Sequence, residues 1–387
     1  MISRRTFIAA GSASVLGATA LNAVLTGPAF ATSTSVTLTL KNTSGLPAYA
    51  YIYGHNAGSW MFVGEGGNLR PLTSATDYAI EIPAGQAKNI PLGQYLTDGR
   101  IYFSLGSRLV NDWDSNGAIR QPGYTADDQD WLKAYTFFEF NFDTGGLHAN
   151  ISYVDMVSLP VRVDMTNTSS QTQSVQPLPN GAPARIAADL LTQHGADGLP
   201  WDQLVIKDGG GKLVRVMSPE KWKKDLFGDY YRSYVDAVWS HYRTNTLTVT
   251  TNSGSYTGQV TGDVLTFAGL NGSPFTKPAT ADILSCNSGP FANSNDERGA
   301  VSARLGAAFN RGTLLLGDNQ PNGVPTSQYY SSGTVNQYAR LVHTYATIGY
   351  AFPFDDVHPA GSPSIEGYIS DPDPATCTIT LGDPGNG

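Results

Sequence analysis

The chain has 387 residues, of which only 14% are charged, with 32 acidic against 24 basic side chains and a net charge of −8. An acidic surface repels phosphate backbones, and no basic cluster with interleaved aromatics occurs, which argues against nucleic acid as a partner. Low charge together with abundant Gly, Ser, Thr, Asn and Tyr suits a secreted, strand-rich protein with a neutral polar ligand.

Residues 1–31 carry Arg4 and Arg5, then an Ala/Gly-rich apolar run, then Ala29-Phe30-Ala31. That order predicts a signal peptide cleaved after Ala31, and Ser3-Arg4-Arg5-x-Phe7 predicts the twin-arginine export route. A membrane anchor is the competing reading, but the run is short and broken by Asn22 and Pro28. No later segment has eighteen consecutive apolar residues, so no membrane span is expected. Removing the two leader arginines leaves 22 basic against 32 acidic residues, a mature net charge of −10. The remaining length favours two domains over one core.

From Ser35 to Val163 short alternating strands are separated by Gly/Pro/Asn turns. "SVTLTLKNTSG", "AYAYIYGH", "DYAIEIPAG", "GRIYFSLGS" and "FFEFNFDTGGLHANISYVDMVSLPVRV" share this texture, which predicts a β-sandwich or barrel. After a polar connection near Met165, helical patterns appear. Ile186, Leu190 and Leu191 stripe one helix ending at His194-Gly195. Ser218 and Pro219 open a second in "SPEKWKKDLFGDYYRSYVDAVWSHY". Val301, Leu305 and Phe309 mark a third closing at Gly312, and Val335, Tyr338, Val342 and Tyr345 a fourth. "NTLTVTT" and "YTGQVTGDVLTF" between them read as strands. The chain end, "IGYAFPFDDV" and "TCTITLGD", returns to β texture. The fold class expected is therefore α+β. A β-domain would be formed by 32–165 and 346–387, with an α/β domain, 166–345, inserted and a groove between them.

Zinc spacings, H-E-x-x-H, G-x-S-x-G, P-loop and Rossmann glycine patterns are all missing, so neither metal nor cofactor is expected. Cys286 and Cys377, an even count in an exported chain, predict one disulfide, with two buried thiols as the alternative.

Carboxylates remain. Only six of the acids are glutamates, and one, Glu139, sits on an aromatic strand. A hairpin turn centred near Gly146 would set Glu139 opposite Tyr153 and Asp155 opposite Phe137. Both acids would then lie on one face, as diagonal neighbours roughly 7–8 Å apart, whereas a one-residue slip would separate them. Two carboxylates so placed fit glycoside hydrolysis. Desolvation by Phe137, Phe138 and Phe140 would favour the protonated form from which a general acid starts, with Asp155 as ionised base. Acids on an exposed strand face are the bland alternative. Asp355-Asp356 could line the same cleft or serve turn and capping roles.

The elements "YAYIYG", "GRIYFS", "FFEFNF" with "ANISYVDMVSLP", "SARLGAAFNRGTLL" and "YAFPFDDV" span most of the mature chain. In this combination and order the chain resembles the β-1,3-glucanases of glycoside hydrolase family 64, the laminaripentaose-producing type. The resemblance implies a thaumatin-like β-domain plus an α/β domain, a wide acidic groove, and inverting endo-hydrolysis of β-1,3-glucan (laminarin, curdlan, fungal wall glucan) by a secreted monomer. It implies Glu139 as general acid and Asp155, sixteen positions on, as general base. It implies sugar contacts near Asn141, Asp143, Ser152 and Tyr153. His148 stands where the family pattern has a tryptophan, and Trp113, Trp131 or Tyr153 could supply the stacking surface instead. A thaumatin-like glucan-binding protein without turnover is the alternative, and intact Glu139 and Asp155 weigh against it.

Overall fold

The computed structural model describes residues 33–385 apart from 72–76, 111–121 and residues 177, 224, 293, 347, 364 and 366. The leader and Trp113 therefore lie outside the described residues. What is described is a sheet-dominated α/β protein with four sheets.

The first sheet joins both ends of the chain. Its order is Thr172–Val175, Val161–Asn167, Pro374–Leu381, Val36–Asn42, Ala87–Leu92. Val36–Asn42 runs parallel to Pro374–Leu381, with Leu38 opposite Cys377. The alternation in VTLTLKN puts Val36, Leu38 and Leu40 into the core and Thr37, Thr39 and Lys41 outward.

The second sheet is the largest. Its order is Tyr368–Asp371, Gly146–Asn150, Tyr135–Asp143, Leu96–Leu105, Ala48–Asn56, Ser59–Val63, Leu69–Pro71, and Ile80–Ile82 also pairs with Ala48–Asn56. Both of its faces are buried near the middle, but by different residues. Ile52, Ile101, Phe138, Phe140 and Phe142 enter the main core. Tyr51, Tyr53, Tyr102, Tyr135 and Phe137 form a second, aromatic cluster on the other face, closed by Trp131, Met156, Val214 and Met217. Period-two alternation along Tyr135–Asp143 thus assigns Glu139 to the aromatic face.

A third sheet, Phe275–Thr276, Val264–Phe267, Gly254–Thr261, Leu247–Thr251 and Asn319–Gln320, packs against the helix Glu297–Arg311. That helix follows its expected stripe, with Val301, Leu305 and Phe309 buried, Asp296 accepting from Gly299 N–H, and Gly312 left-handed at its end. Asn336 caps the helix Gln337–Tyr345.

Other segments depart from expectation. The helix Ala182–Asp197 buries Ile186 and Leu190, but Leu191 faces outward, and the end is Gly198 in the left-handed region rather than Gly195. The Ser218 cap forms, yet the helix it opens stops at Trp222, and a separate helix, Arg232–His241, follows the 225–231 turns. "IGYAFPFDDV" is not a strand. It is a run of turns held by one bridge, Ser152 to Tyr350, with Phe354 at φ +65°.

The expected disulfide is absent. Cys286 and Cys377 are both free and buried. Cys286 terminates the helix Thr280–Ser285 and packs its Sγ against Ile283 O and Asn310 Nδ2, each at 3.3 Å. Cys377 sits mid-strand between Leu38 and Met165. Each thiol is committed to its own packing, so an even count did not make a pair.

Candidate active site

The hairpin carrying Glu139 is tighter than expected. Asp143 opposes Gly146, so the loop is Thr144-Gly145, and Glu139 faces Asn150 rather than Tyr153. Tertiary packing sets this register. Gly146 has φ +107°, and a Cβ there would lie 2.1 Å from the Asp371 carbonyl oxygen. Only glycine lets the Tyr368–Asp371 strand approach so closely.

The chain then leaves the sheet after Asn150. Asp155 is therefore not a diagonal neighbour of Glu139 on a hairpin. It precedes the short strand Met156–Val157, which pairs with Leu213–Met217, and its carbonyl accepts from Ser218 N–H at 3.0 Å. Glu139 lies on the large sheet and Asp155 just ahead of a strand of another, and both border one aromatic cluster: Phe137, two residues before Glu139, and Met156, next to Asp155, are both members.

Each carboxylate is buried, Glu139 to 7% and Asp155 to 1% exposure, and each has partners. Arg100, directly opposite Glu139 on Leu96–Leu105, donates to Oε1 from Nη2 at 2.6 Å and from Nε at 3.0 Å. Its guanidinium also lies 5.1 Å from the Phe137 ring centre. Burial works to lower the Arg100 pKa, but Glu139 and the surrounding tyrosine hydroxyls outweigh it and hold it well above the usual value. Tyr124 is one of those hydroxyls, and it donates to Asp155 Oδ2 at 2.8 Å. The Nζ of Lys221 stands 3.9 Å from Asp155 Oδ1. Arg100 thus partners Glu139 and Tyr124 partners Asp155, both beside the one aromatic cluster.

The support behind Asp155 comes from the segment 213–222. Arg215 is fully buried, donates to the carbonyls of Trp131 (2.7 Å) and Lys133 (2.6 Å), and stacks 4.2 Å from the Tyr135 ring centre. Trp222 stacks on Trp131 at 4.7 Å and 13°. Trp131, a candidate stacking surface for sugar, is instead occupied by protein on that side.

Of the other expected contacts, Asn141 and His148 share the Glu139 face as a cross-strand pair. Asn141 Oδ1 accepts from Asp98 N–H at 2.7 Å, and His148 Nδ1 meets Ser370 Oγ at 2.8 Å and Tyr368 Oη at 3.0 Å. Asp143 Oδ1 accepts from Gly145 N–H and so shapes the turn. Ser152 is half-buried, and its Oγ accepts from Val154 N–H. Tyr153 is a correction: it is 3% exposed within the main core, because the chain turns inward after leaving the sheet.

Asp355 is a second correction. It does not line a cleft; it is 1% exposed and bound by Arg311 Nη2 (2.9 Å), His343 Nε2 (2.7 Å) and Ala351 N–H (2.8 Å). Burial alone would raise its pKa, but His343 and Arg311 outweigh it and hold the carboxyl below its ordinary value. Asp356, half-buried, is pushed the other way, first by burial and then by Asp355. Its Oδ1 is buried without a hydrogen-bond partner among the described residues, which is poor placement for a sugar ligand.

Sequence reasoning missed Arg100, Tyr124 and Lys221. Arg100 left one trace, a lone cation inside the strand-like "GRIYFS" matching a lone acid inside "FFEFNF". Tyr124 and Lys221 left none. Among the described residues no cluster of His, Cys, Asp and Glu could hold a metal ion.

The model of glycoside hydrolase family 64, β-1,3-glucanase, matches residues 34–381. The chain belongs to glycoside hydrolase family 64. It is accordingly a glycoside hydrolase. A glucan endo-1,3-β-glucosidase of Cellulosimicrobium cellulans is 30% identical, the match covering 98% of this chain and 70% of that protein. The crystal structure of a laminaripentaose-producing β-1,3-glucanase in complex with laminaritetraose superposes with a TM-score of 0.80 at 27% identity, over 91% of this chain and all of the other. A β-1,3-glucanase domain from Clostridium beijerinckii shares the fold, with a TM-score of 0.67 at 22% identity over 90% and 98% of the two chains. No helix among the described residues of this family 64 chain is long and apolar enough to cross a membrane.

Proposed function

We propose that the chain is an exported endo-β-1,3-glucanase acting with inversion, in which Glu139 protonates the leaving oxygen and Asp155 activates the attacking water. The observation that carries this reading is the pair of buried carboxylates beside one aromatic cluster, Glu139 held by Arg100 and Asp155 by Tyr124. Two Arg100 nitrogens donate to Oε1 of Glu139 and hold the carboxyl in place. Asp155 takes a hydroxyl on Oδ2 and has the Lys221 ammonium near Oδ1, which favours an ionised base. Inversion needs carboxyls about 6.5–9.5 Å apart so that a water fits beside the sugar. Acids supplied by two separate segments, each tied to its own partner, suit that need better than direct cross-strand neighbours.

The substrate is β-1,3-glucan, and the products are short laminari-oligosaccharides such as laminaripentaose, as for the matched enzyme described as laminaripentaose-producing. A thaumatin-like β-domain formed by 32–165 and 346–387, with 166–345 as the α/β domain and a groove between them, agrees with the pairing of the terminal strands. Asn141 and His148, beside Glu139, are the sugar contacts this reading favours. Reducing-sugar release from curdlan tests the activity. Proton NMR in the first minutes tests the stereochemistry: the α-anomer should appear first, and an initial β-anomer would mean a covalent intermediate and reject inversion.

A further inference from the structure

We infer that Arg215 is a positioning residue for the hydrolytic reaction: it sets the Tyr124 hydroxyl against the Asp155 carboxylate. The inference rests on the reading of Asp155 as the base and on the following geometry for the role of Arg215.

Two segments bring groups to Asp155. The turns at 123–133 supply Tyr124, whose hydroxyl meets Oδ2 at 2.8 Å. The strand Leu213–Met217 and the short helix after it supply Ser218, whose N–H donates to the Asp155 carbonyl at 3.0 Å, and Lys221, whose Nζ stands 3.9 Å from Oδ1. The strand therefore fixes the backbone of Asp155, while the turns aim a donor at its side chain. Whether the donor arrives depends on how the turns dock on the strand.

Arg215, at the centre of that strand, makes the dock. Its Nη2 donates to the carbonyl oxygens of Trp131 and Lys133 at 2.7 and 2.6 Å. Its guanidinium lies 4.2 Å from the Tyr135 ring centre and 5.4 Å from that of Trp131, and Nη1 approaches the Sδ of Met156, the neighbour of Asp155, at 3.9 Å. Among the described residues its charge is met by carbonyl oxygens and ring faces instead of a carboxylate. A fully buried cation so placed is costly, and an apolar side chain would fill the volume without that cost. What the apolar side chain lacks is the planar donor fork, which holds two carbonyls while it stacks on aromatic rings.

Two routes carry the dock to Tyr124. In the first, Trp131, whose carbonyl Arg215 holds, donates its N–H to Asp128 O at 3.0 Å, and Asp128 Oδ2 accepts from Gly123 N–H at 2.9 Å. In the second, the Tyr135 ring beneath Arg215 sends its hydroxyl to Gly123 O at 3.3 Å. Both routes end on Gly123, one residue before Tyr124. A third contact, Trp222 stacked on Trp131, ties the helix that carries Lys221 to the same turns. Displacing a positioned group by about 1 Å can cost about a hundredfold in rate, so a small shift of these turns is enough to matter.

Arg215→Lys keeps the charge and loses the fork. On laminarin it should lower kcat roughly tenfold, the loss expected of Tyr124→Phe, with KM unchanged. In a Tyr124→Phe background the same change should cost less than about twofold, because the contact it disturbs is already gone. Tyr135→Phe keeps the ring and deletes the hydroxyl on Gly123 O. It should be coupled to Tyr124 in the same way, and it carries the comparison should Arg215→Lys not fold. Losses that simply multiply in the double variants, or a change confined to KM, would make Arg215 a structural residue only and overturn the inference. A second readout needs no substrate. In protein labelled with 3-fluorotyrosine, the Tyr124 fluorine resonance is the one missing from Tyr124→Phe. Arg215→Lys, or Tyr135→Phe in its place, should shift it, and an unmoved resonance would overturn the inference. Should the wild type release no reducing sugar from β-1,3-glucan, the glucanase reading fails, and this resonance alone decides whether Arg215 sets Tyr124 on Asp155.

Discussion

Arg100 and Glu139 face each other across adjacent antiparallel strands, and two guanidinium nitrogens converge on one carboxylate oxygen. The pair is largely desolvated, with side-chain exposures of 12% and 9%. Removing one partner of such a pair leaves the other charge buried alone. Arg100→Met should lower stability by about 3 kcal/mol and lower kcat on curdlan. Arg100→Lys should recover the stability better than the turnover, because an ammonium cannot reproduce the planar fork. Full activity in the methionine variant would show that Glu139 needs no orienting partner.

Glu139→Gln and Asp155→Asn preserve shape and remove ionisation. Each should cut turnover by about 10²–10⁴-fold, the usual range for losing an acid or base, while glucan affinity changes little; Glu139→Gln should also lower the melting temperature, because it leaves the buried Arg100 charge without its counter-charge. A variant that keeps most of its activity loses its assigned role.

Tyr124→Phe deletes the hydroxyl that donates to Asp155 Oδ2 at 2.8 Å and keeps the ring. A hydrogen bond to a charged group is worth about 1.5–3 kcal/mol, so a drop in kcat of at least roughly tenfold is expected. Steady-state kinetics on laminarin would show it, and an unchanged kcat would separate Tyr124 from catalysis.

Cys286 and Cys377 should both be recovered as thiols. Burial pushes the Cys377 thiol up to about 12 and raises that of Cys286 further. Alkylation without reductant should label neither in native protein and both after unfolding, because thiolate is the reactive form. A bridged peptide in the mass spectrum of the purified protein would contradict the packing described here.

Asp355 links stability to acid pH. Its carboxyl is held below the ordinary value of about 4 in the folded chain. Its contribution is therefore complete above that unfolded value and lost as the pH falls through the depressed folded one. Asp355→Asn should destabilise the protein at pH 7 by about 3–5 kcal/mol, leaving Arg311 buried and unpaired. It should also flatten the pH dependence of the melting temperature below about pH 4. An identical pH profile for wild type and variant would place the acid sensitivity elsewhere.

Much of the secondary structure could be read from the sequence, because it is set by nearest neighbours. Alternation in VTLTLKN and FFEFNF, Asp296 before ERGAV, and Gly312 after the last turn act within a few residues, and the chain obeys them. The same local rules singled out Glu139 and Asp155 as isolated acids in apolar surroundings. What joins those acids is not local. Thr144-Gly145-Gly146 permits more than one hairpin register, and the close approach of the Tyr368–Asp371 strand to Gly146 selects one. Asp155 is aimed by pairing with Leu213–Met217, some sixty positions on. Arg100, Tyr124 and Lys221 reach the acids from three further segments. A disulfide depends on where two thiols end up, and a cleft on which acids remain unpaired, so Cys286, Cys377 and Asp355 could not be assigned by counting. Sequence by itself determined which elements form and which residues carry ionisable chemistry, since both follow from local composition and period. Only the tertiary structure decided which charges meet, because Coulomb and hydrogen-bond energies depend on distances that long-range packing sets.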